Sequence, residues 1–161
     1  MKRLRRDGSV DVNVSQQPYI YFPQSSTIRK TSQKIPHFLA IVDVYKQLLQ
    51  YEKPKLFKVE PNTVKRNMEP DIFSIWRQSP FFIEVQNSVY SKKVMQEKLK
   101  RYEFYFHSLE WQQEPWQTKK SKYFPSLLII TDTQYDIYSP NFRIFQTRLI
   151  HDFMNQMVVK V

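Results

Sequence analysis

The sequence has no cysteine and a single glycine in 161 residues, and each shortage removes whole classes of protein. Without cysteine there is no disulfide scaffold, no Cys-based zinc site, no iron–sulfur cluster and no thiol nucleophile, a composition that fits a reducing compartment. One glycine cannot build a Walker loop, a dinucleotide-binding fingerprint or a nucleophile elbow. Each needs several, so that backbone can approach a phosphate or turn sharply. Long apolar runs are missing too, because nothing approaches the ~18–20 consecutive apolar residues of a membrane span. The basic start, Met1 to Arg6, leads into polar Asp7-Gly8-Ser9 and not into the apolar stretch of a signal peptide. A soluble cytoplasmic protein without a membrane partner is the expectation.

What the chain does have is 41% hydrophobic and 16% aromatic residues, enough to fill the core of one domain of this length. It also has 25 Lys and Arg against 15 Asp and Glu, a formal net charge of +10. An excess of that size on a soluble domain most often meets a polyanion, and nucleic acid is the commonest one. Half of it sits in residues 1–36, where Lys2, Arg3, Arg5, Arg6, Arg29, Lys30 and Lys34 face Asp7 and Asp11 alone. There, Val10, Val12 and Val14 alternate with polar residues after Asp7-Gly8, and Tyr19-Ile20-Tyr21-Phe22 follows Pro18, which predicts a basic β-hairpin. Residues 23–34, rich in Ser, Thr and Gln, predict a linker, so 1–34 is one region and 35–161 the other.

Helical spacing of Phe38, Ile41, Val42, Tyr45, Leu48 and Leu49 predicts a helix from Pro36 to Tyr51. Three strands follow as a meander, Lys55–Glu60, Asp71–Trp76 and Phe81–Gln86, with turn signals at Pro61-Asn62 and Gln78-Ser79-Pro80. A second helix is predicted over about Ser88–Ser108, with Met95, Leu99, Tyr102, Phe106 and Leu109 on one side. Lys92, Lys93, Lys98, Lys100 and Arg101 fill its other faces. After a polar loop, Glu110–Lys122, the run Pro125–Thr131 predicts a buried central strand. Phe145, Leu149, Phe153 and Met157, spaced by four, predict a last helix over Asn141–Met157. The fold class expected is α/β, with a mixed central sheet between an N-terminal β-hairpin and a C-terminal helix.

Strand side chains alternate, so Phe82, Glu84 and Gln86 share a face of the third strand while Phe81, Ile83 and Val85 take the other. An acid inside Phe-Phe-Ile-Glu-Val is costly unless it is paired, hydrogen-bonded or bound to a metal. The hairpin running back from Glu69-Pro70-Asp71 brings Asp71 to the same end of the sheet as Glu84. Two carboxylates there suit a hard cation held through oxygen ligands, with Glu60 as a third acid. The other expectation for Asp71 and Glu84 is a pair of structural salt bridges to nearby Lys or Arg. Trp111, Trp116 and most other aromatic residues are assigned to the core, and His37, His107 and His151 are isolated from one another, which leaves histidine metal chemistry without support.

Glu-Pro-Asp71, a short hairpin, then Phe-Ile-Glu84-Val-Gln86 and a basic amphipathic helix resemble the PD-(D/E)xK nuclease superfamily, whose core runs helix, strand, strand, strand, helix, strand. More narrowly, Pro36–Tyr45, Glu-Pro-Asp71, Phe-Phe-Ile-Glu84-Val-Gln and Lys98–Tyr102 resemble the replication-relaxation family of plasmid and mobile-element proteins. The first resemblance implies a restriction-endonuclease-like core, with Asp71 and Glu84 as acids for Mg²⁺ or Mn²⁺ and Asp71, Glu84 and Gln86 as the catalytic set. Gln86 stands where that superfamily most often has lysine; glutamine can orient a water but supplies no charge, and Lys92, Lys93 or Lys98 could replace the cation. The second implies that residues 1–22 correspond to the wing of a winged helix, whose other parts come from elsewhere unless the chain is a shortened member. The function expected is DNA binding for a mobile element, with metal-dependent endonuclease activity. Its rivals are a catalytically inactive accessory with the same fold and a protein–protein interaction component. DNA would meet Arg3, Arg5, Arg6, Lys92, Lys93, Lys100 and Arg101. The other partners expected are a second copy of the chain or other mobile-element proteins.

Overall fold

The computed structural model describes residues 2–15, 17–26, 28–61 and 68–158. The chain divides into two compact units, Met1–Leu39 and Ala40–Val161. In the first, a short helix α1 (Lys2–Arg6) precedes strands β1 (Val10–Asn13) and β2 (Ile20–Pro23), which pair antiparallel with Val12 opposite Tyr21. The expected hairpin is there, but its arginines stand on the helix before it and not on its strands. Gly8 takes the left-handed backbone (φ 70°) that lets the chain leave α1 and enter β1. Lys30 closes on Asp11 at 2.6 Å while Asn13 Nδ2 donates to the Lys30 carbonyl, so residues beyond the hairpin are tied back to β1. That ion pair and the Val12 N–H hold the Asp11 carboxyl below its usual range.

In helix α2 (Ile35–Leu49), Pro36 sits in the first turn, where a missing N–H costs nothing. Ile41, Val44 and Leu48, at i, i+3 and i+7, are its buried stripe. The meander follows as β3 (Leu56–Val59), β4 (Ile72–Trp76) and β5 (Ser79–Val85), each antiparallel to the last. The turn expected at Pro61-Asn62 lies partly outside the described residues. The second turn is Arg77-Gln78, one residue earlier than its Gln-Ser-Pro signal, and Pro80 falls inside β5 opposite Ile75. Both turn residues have positive φ, 48° and 63°, as a two-residue hairpin loop demands, yet neither is glycine. A Gln78→Gly substitution is therefore expected to stabilise the fold by about 0.5–1 kcal/mol, read as a shift of the urea midpoint.

Helix α3 (Lys92–Ser108) begins later than expected because Ser91 caps it, its hydroxyl accepting from the Val94 N–H at 3.3 Å. It ends at Leu109, which is left-handed and exposed and so takes no part in the apolar face. A single 3-10 turn (Glu110–Gln113) follows. Strand β6 (Ser126–Ile130) then pairs parallel to β5, with Ile129 beside Glu84. The helix expected over Asn141–Met157 is a strand and a helix, β7 (Ile144–Thr147) and α4 (Ile150–Val158). Pairing parallel to β6 satisfies backbone groups of that buried strand. The four-residue spacing still brings Phe145 and Phe153 together, their rings 5.0 Å apart, but across a strand-to-helix turn.

The result is a mixed five-stranded sheet in the order β3-β4-β5-β6-β7, within a protein of four α-helices among the described residues. Helix α3 covers the face that carries Phe73, Phe82, Leu127 and Ile129. An aromatic core fills the space between, with Phe82 against Tyr102 and Phe124 against Phe106, Trp111 and Phe142. The opposite face takes Tyr45 of α2 on Phe57 and Phe153 of α4 on Phe81. Trp111 is buried and Trp116 packs on Phe73 at 5.0 Å, so both belong to the core. No described helix is long and apolar enough to cross a membrane.

Candidate active site

The strand register decides which acids can meet. Ile72 lies opposite Ile83, and one step further the Val85 N–H donates to Asp71 Oδ2 at 2.7 Å, so Asp71 stands across from Glu84. On the other side Val59 pairs with Ile72, and the Glu60 N–H donates to the Asp71 carbonyl at 2.8 Å. Glu60, Asp71 and Glu84 thus form a row across one end of the meander. Glu60 is exposed with a left-handed backbone (φ 42°), and no three His, Asp or Glu side chains among the described residues are grouped as a metal site.

Glu84 is 1% exposed. Lys98 of α3 brings Nζ to 2.5 Å from Oε2, and the buried Tyr102 hydroxyl, one turn further along the helix, donates to Oε1. Lys98 also lies over the Tyr90 ring, 5.8 Å from its centre. Burial raises the Glu84 carboxyl to about 7, with Asp71's charge adding to the rise and Lys98 and Tyr102 opposing it. Burial and then the Glu84 charge push the Tyr102 phenol well above its ordinary value, which keeps it a proton donor to that carboxylate.

Gln86 shares the face, as the alternation predicts. Its Nε2 donates to Met95 Sδ at 3.1 Å, while Oε1 is buried and takes no donor among the described residues. Beside it Glu84, Gln86, Lys98 and Ile137 line a cavity of about 10 Å³, room for a single water. Carboxylate and amide oxygens with an orphaned acceptor beside a water-sized space are the donor types a hard dication takes, and Asp71's charge adds to the cost of ionising Glu84.

Of the three lysines that could replace the missing cation, Lys98 is the one in contact with Glu84. Met95, Lys98, Tyr102 and Tyr105, at i, i+3, i+7 and i+10, form the stripe of α3 that faces the sheet and carries Lys98 to Glu84. Reading the stripe through Leu99 and Phe106 instead turns Lys98 away. Tyr90 carries no local motif that marks it as part of a site, and Tyr102 enters the sequence reading only on the apolar side of α3 and in the Lys98–Tyr102 segment. Lys92, Lys93, Lys100 and Arg101 are exposed on α3, and Arg3, Arg5 and Arg6 are exposed on α1 in the other unit, where Arg3 and Arg6 each approach Asp7 at 3.8 Å. The described contacts of His107 and His151 lie away from the acids, with His107 3.8 Å from Glu103 and His151 bonded to Tyr51 at 2.8 Å.

A mixed sheet whose antiparallel meander ends in adjacent acids, with a helix-borne lysine on the buried one, defines an α/β protein with an acidic site at a sheet end. The family model for replication-relaxation matches residues 9–118, and the chain belongs to that family. Membership ties it to the replication or mobilisation of a plasmid or other mobile element. Neither the curated proteins nor the solved structures contain a match to the chain.

Proposed function

We propose that the chain is a metal-dependent DNA endonuclease of a mobile genetic element, built on a restriction-endonuclease-like core. The observation that carries this reading is Lys98, which reaches from α3 to within 2.5 Å of Glu84 and supplies at the acids the positive charge that Gln86 lacks. Asp71 and Glu84 would hold Mg²⁺ or Mn²⁺, which when bound lowers the pKa of a coordinated water and offsets charge on the scissile phosphate. Gln86 Oε1 orients the attacking water, and Lys98 faces the phosphate oxygens as charge builds on them. The exposed bases of α3 hold the DNA backbone.

A second reading, a DNA-binding accessory without cleavage, is favoured by one observation: Lys98 and Tyr102 already satisfy both oxygens of Glu84. Nicking of supercoiled plasmid with Mg²⁺, Mn²⁺ or EDTA separates the two. The expected result is metal-dependent nicking that falls about 10²-fold or more in Asp71→Ala and in Lys98→Gln, with circular dichroism and DNA binding retained. Binding without cleavage in any metal would overturn the endonuclease reading and establish the accessory one. Full activity in Lys98→Gln would remove Lys98 from the site.

A further inference from the structure

A groove of about 680 Å³ runs along β7, the edge strand of the sheet, lined by Tyr138, Phe142, Arg143, Phe145, Met157 and Ile137 among others. Ile137 also lines the cavity of Glu84, Gln86 and Lys98, so the two spaces share a wall. The segment carrying Ile137 and Tyr138 is fixed at both ends. Gln146 of β7 clips the Tyr135 backbone in both directions, accepting from its N–H at 2.8 Å and donating to its carbonyl at 2.9 Å. The Tyr135 hydroxyl accepts from the N–H of Tyr90, whose ring lies under Lys98. Downstream, Ser139 Oγ accepts from the N–H groups of Asn141 and Phe142, and Asn141 Nδ2 donates to Glu103 of α3 at 2.6 Å.

This scaffold holds Tyr138 with 78% of its surface exposed. Arg143 is exposed and lines the same groove, and none of the described residues lining the groove is acidic. An exposed aromatic ring, a cation and an apolar floor are what unpaired bases and their phosphates require. A duplex keeps its base faces stacked inside and offers phosphates and base edges, which call for basic and polar residues and not for an exposed ring over an apolar groove.

We infer that this groove binds single-stranded DNA, with an unpaired base stacked on Tyr138 and a phosphate on Arg143, and leads the strand past Ile137 to the acids. The inference rests on the endonuclease reading for where the strand is led, but the binding itself needs neither metal nor cleavage.

The test is fluorescence anisotropy of labelled oligo(dT) and of a labelled hairpin duplex with the full chain in EDTA. Tyr138→Ala is expected to weaken oligo(dT) binding about tenfold and Tyr138→Trp to restore it, while duplex binding changes less than about twofold. Arg143→Ala should lower the slope of log affinity against log salt by about one for the single strand. Oligo(dT) binding unchanged in Tyr138→Ala and Arg143→Ala would overturn the proposal and leave the groove to a different partner, such as a peptide pairing with β7. Equal losses on duplex and single strand would overturn it as well. Plasmid nicking reports separately on the acids: a chain that does not nick but shows Tyr138-dependent binding keeps the groove and loses the endonuclease. A chain that nicks without Tyr138 dependence does the reverse.

Discussion

Phe82→Ala is expected to cost about 3–5 kcal/mol of folding stability. Phe82 is 3% exposed at the middle of β5. Its ring centre lies 5.6 Å from Phe73, 5.6 Å from Tyr102, 5.8 Å from Phe124 and 6.3 Å from Tyr105. Alanine removes the transfer free energy of the ring and leaves a cavity that four rings held by β4, α3 and the loop before β6 cannot all close. A loss of that size approaches the whole stability of an ordinary domain. It also reaches the site, because Tyr102 packs on Phe82 and donates to Glu84. Urea titration should show a large fall in midpoint, against a change within about 0.5 kcal/mol for Val89→Ala, whose side chain is exposed. A similar small change for Phe82→Ala would mean that the face under α3 is not the main core.

The meander is legible in the sequence because its signals are local: alternating apolar strands, Pro and polar turn residues, and an acid conspicuous among Phe, Ile and Val. β7 is not, because four residues are too few to show a period. Phe145, Leu149 and Phe153 match helical spacing only because a strand and a helix meet between the first and the last of them, and Leu149, at that junction, is exposed. The position of Asp71 opposite Glu84 follows from strand alternation and an antiparallel turn. The choice of Lys98 over Lys92 and Lys93 does not, because it depends on which side of α3 meets the sheet. Leu99 and Phe106 make the neighbouring stripe look equally apolar, and the tertiary packing of Tyr102 and Tyr105 decides between them. The groove at Tyr138 has no sequence signal, since it is made where a loop is clipped to a strand by Gln146.

Glu84→Gln is expected to make the protein more stable at pH 8, by up to about 3 kcal/mol, and no more stable at pH 4. Burial raises the Glu84 carboxyl from 4.5 to about 7 in the folded chain. Between those values the folded state binds more protons than the unfolded one, so stability falls as pH rises through this window and levels off above it. Glutamine has the same shape and never ionises; its Oε1 can accept from Lys98 while its Nε2 donates to the Tyr102 oxygen, so its stability lacks that fall. Thermal unfolding should therefore show the two proteins together at low pH and Glu84→Gln ahead by roughly 6–12 °C at pH 8. The opposite order at pH 8 would show that the Lys98 pair outweighs the cost of burial and that Glu84 serves the fold. The expected order has a functional meaning: a carboxylate kept where a neutral isostere is more stable is kept for its charge. Added Mn²⁺ should then stabilise the wild-type chain at pH 8 and leave Glu84→Gln unmoved, because binding the dication favours the ionised form that only glutamate can adopt.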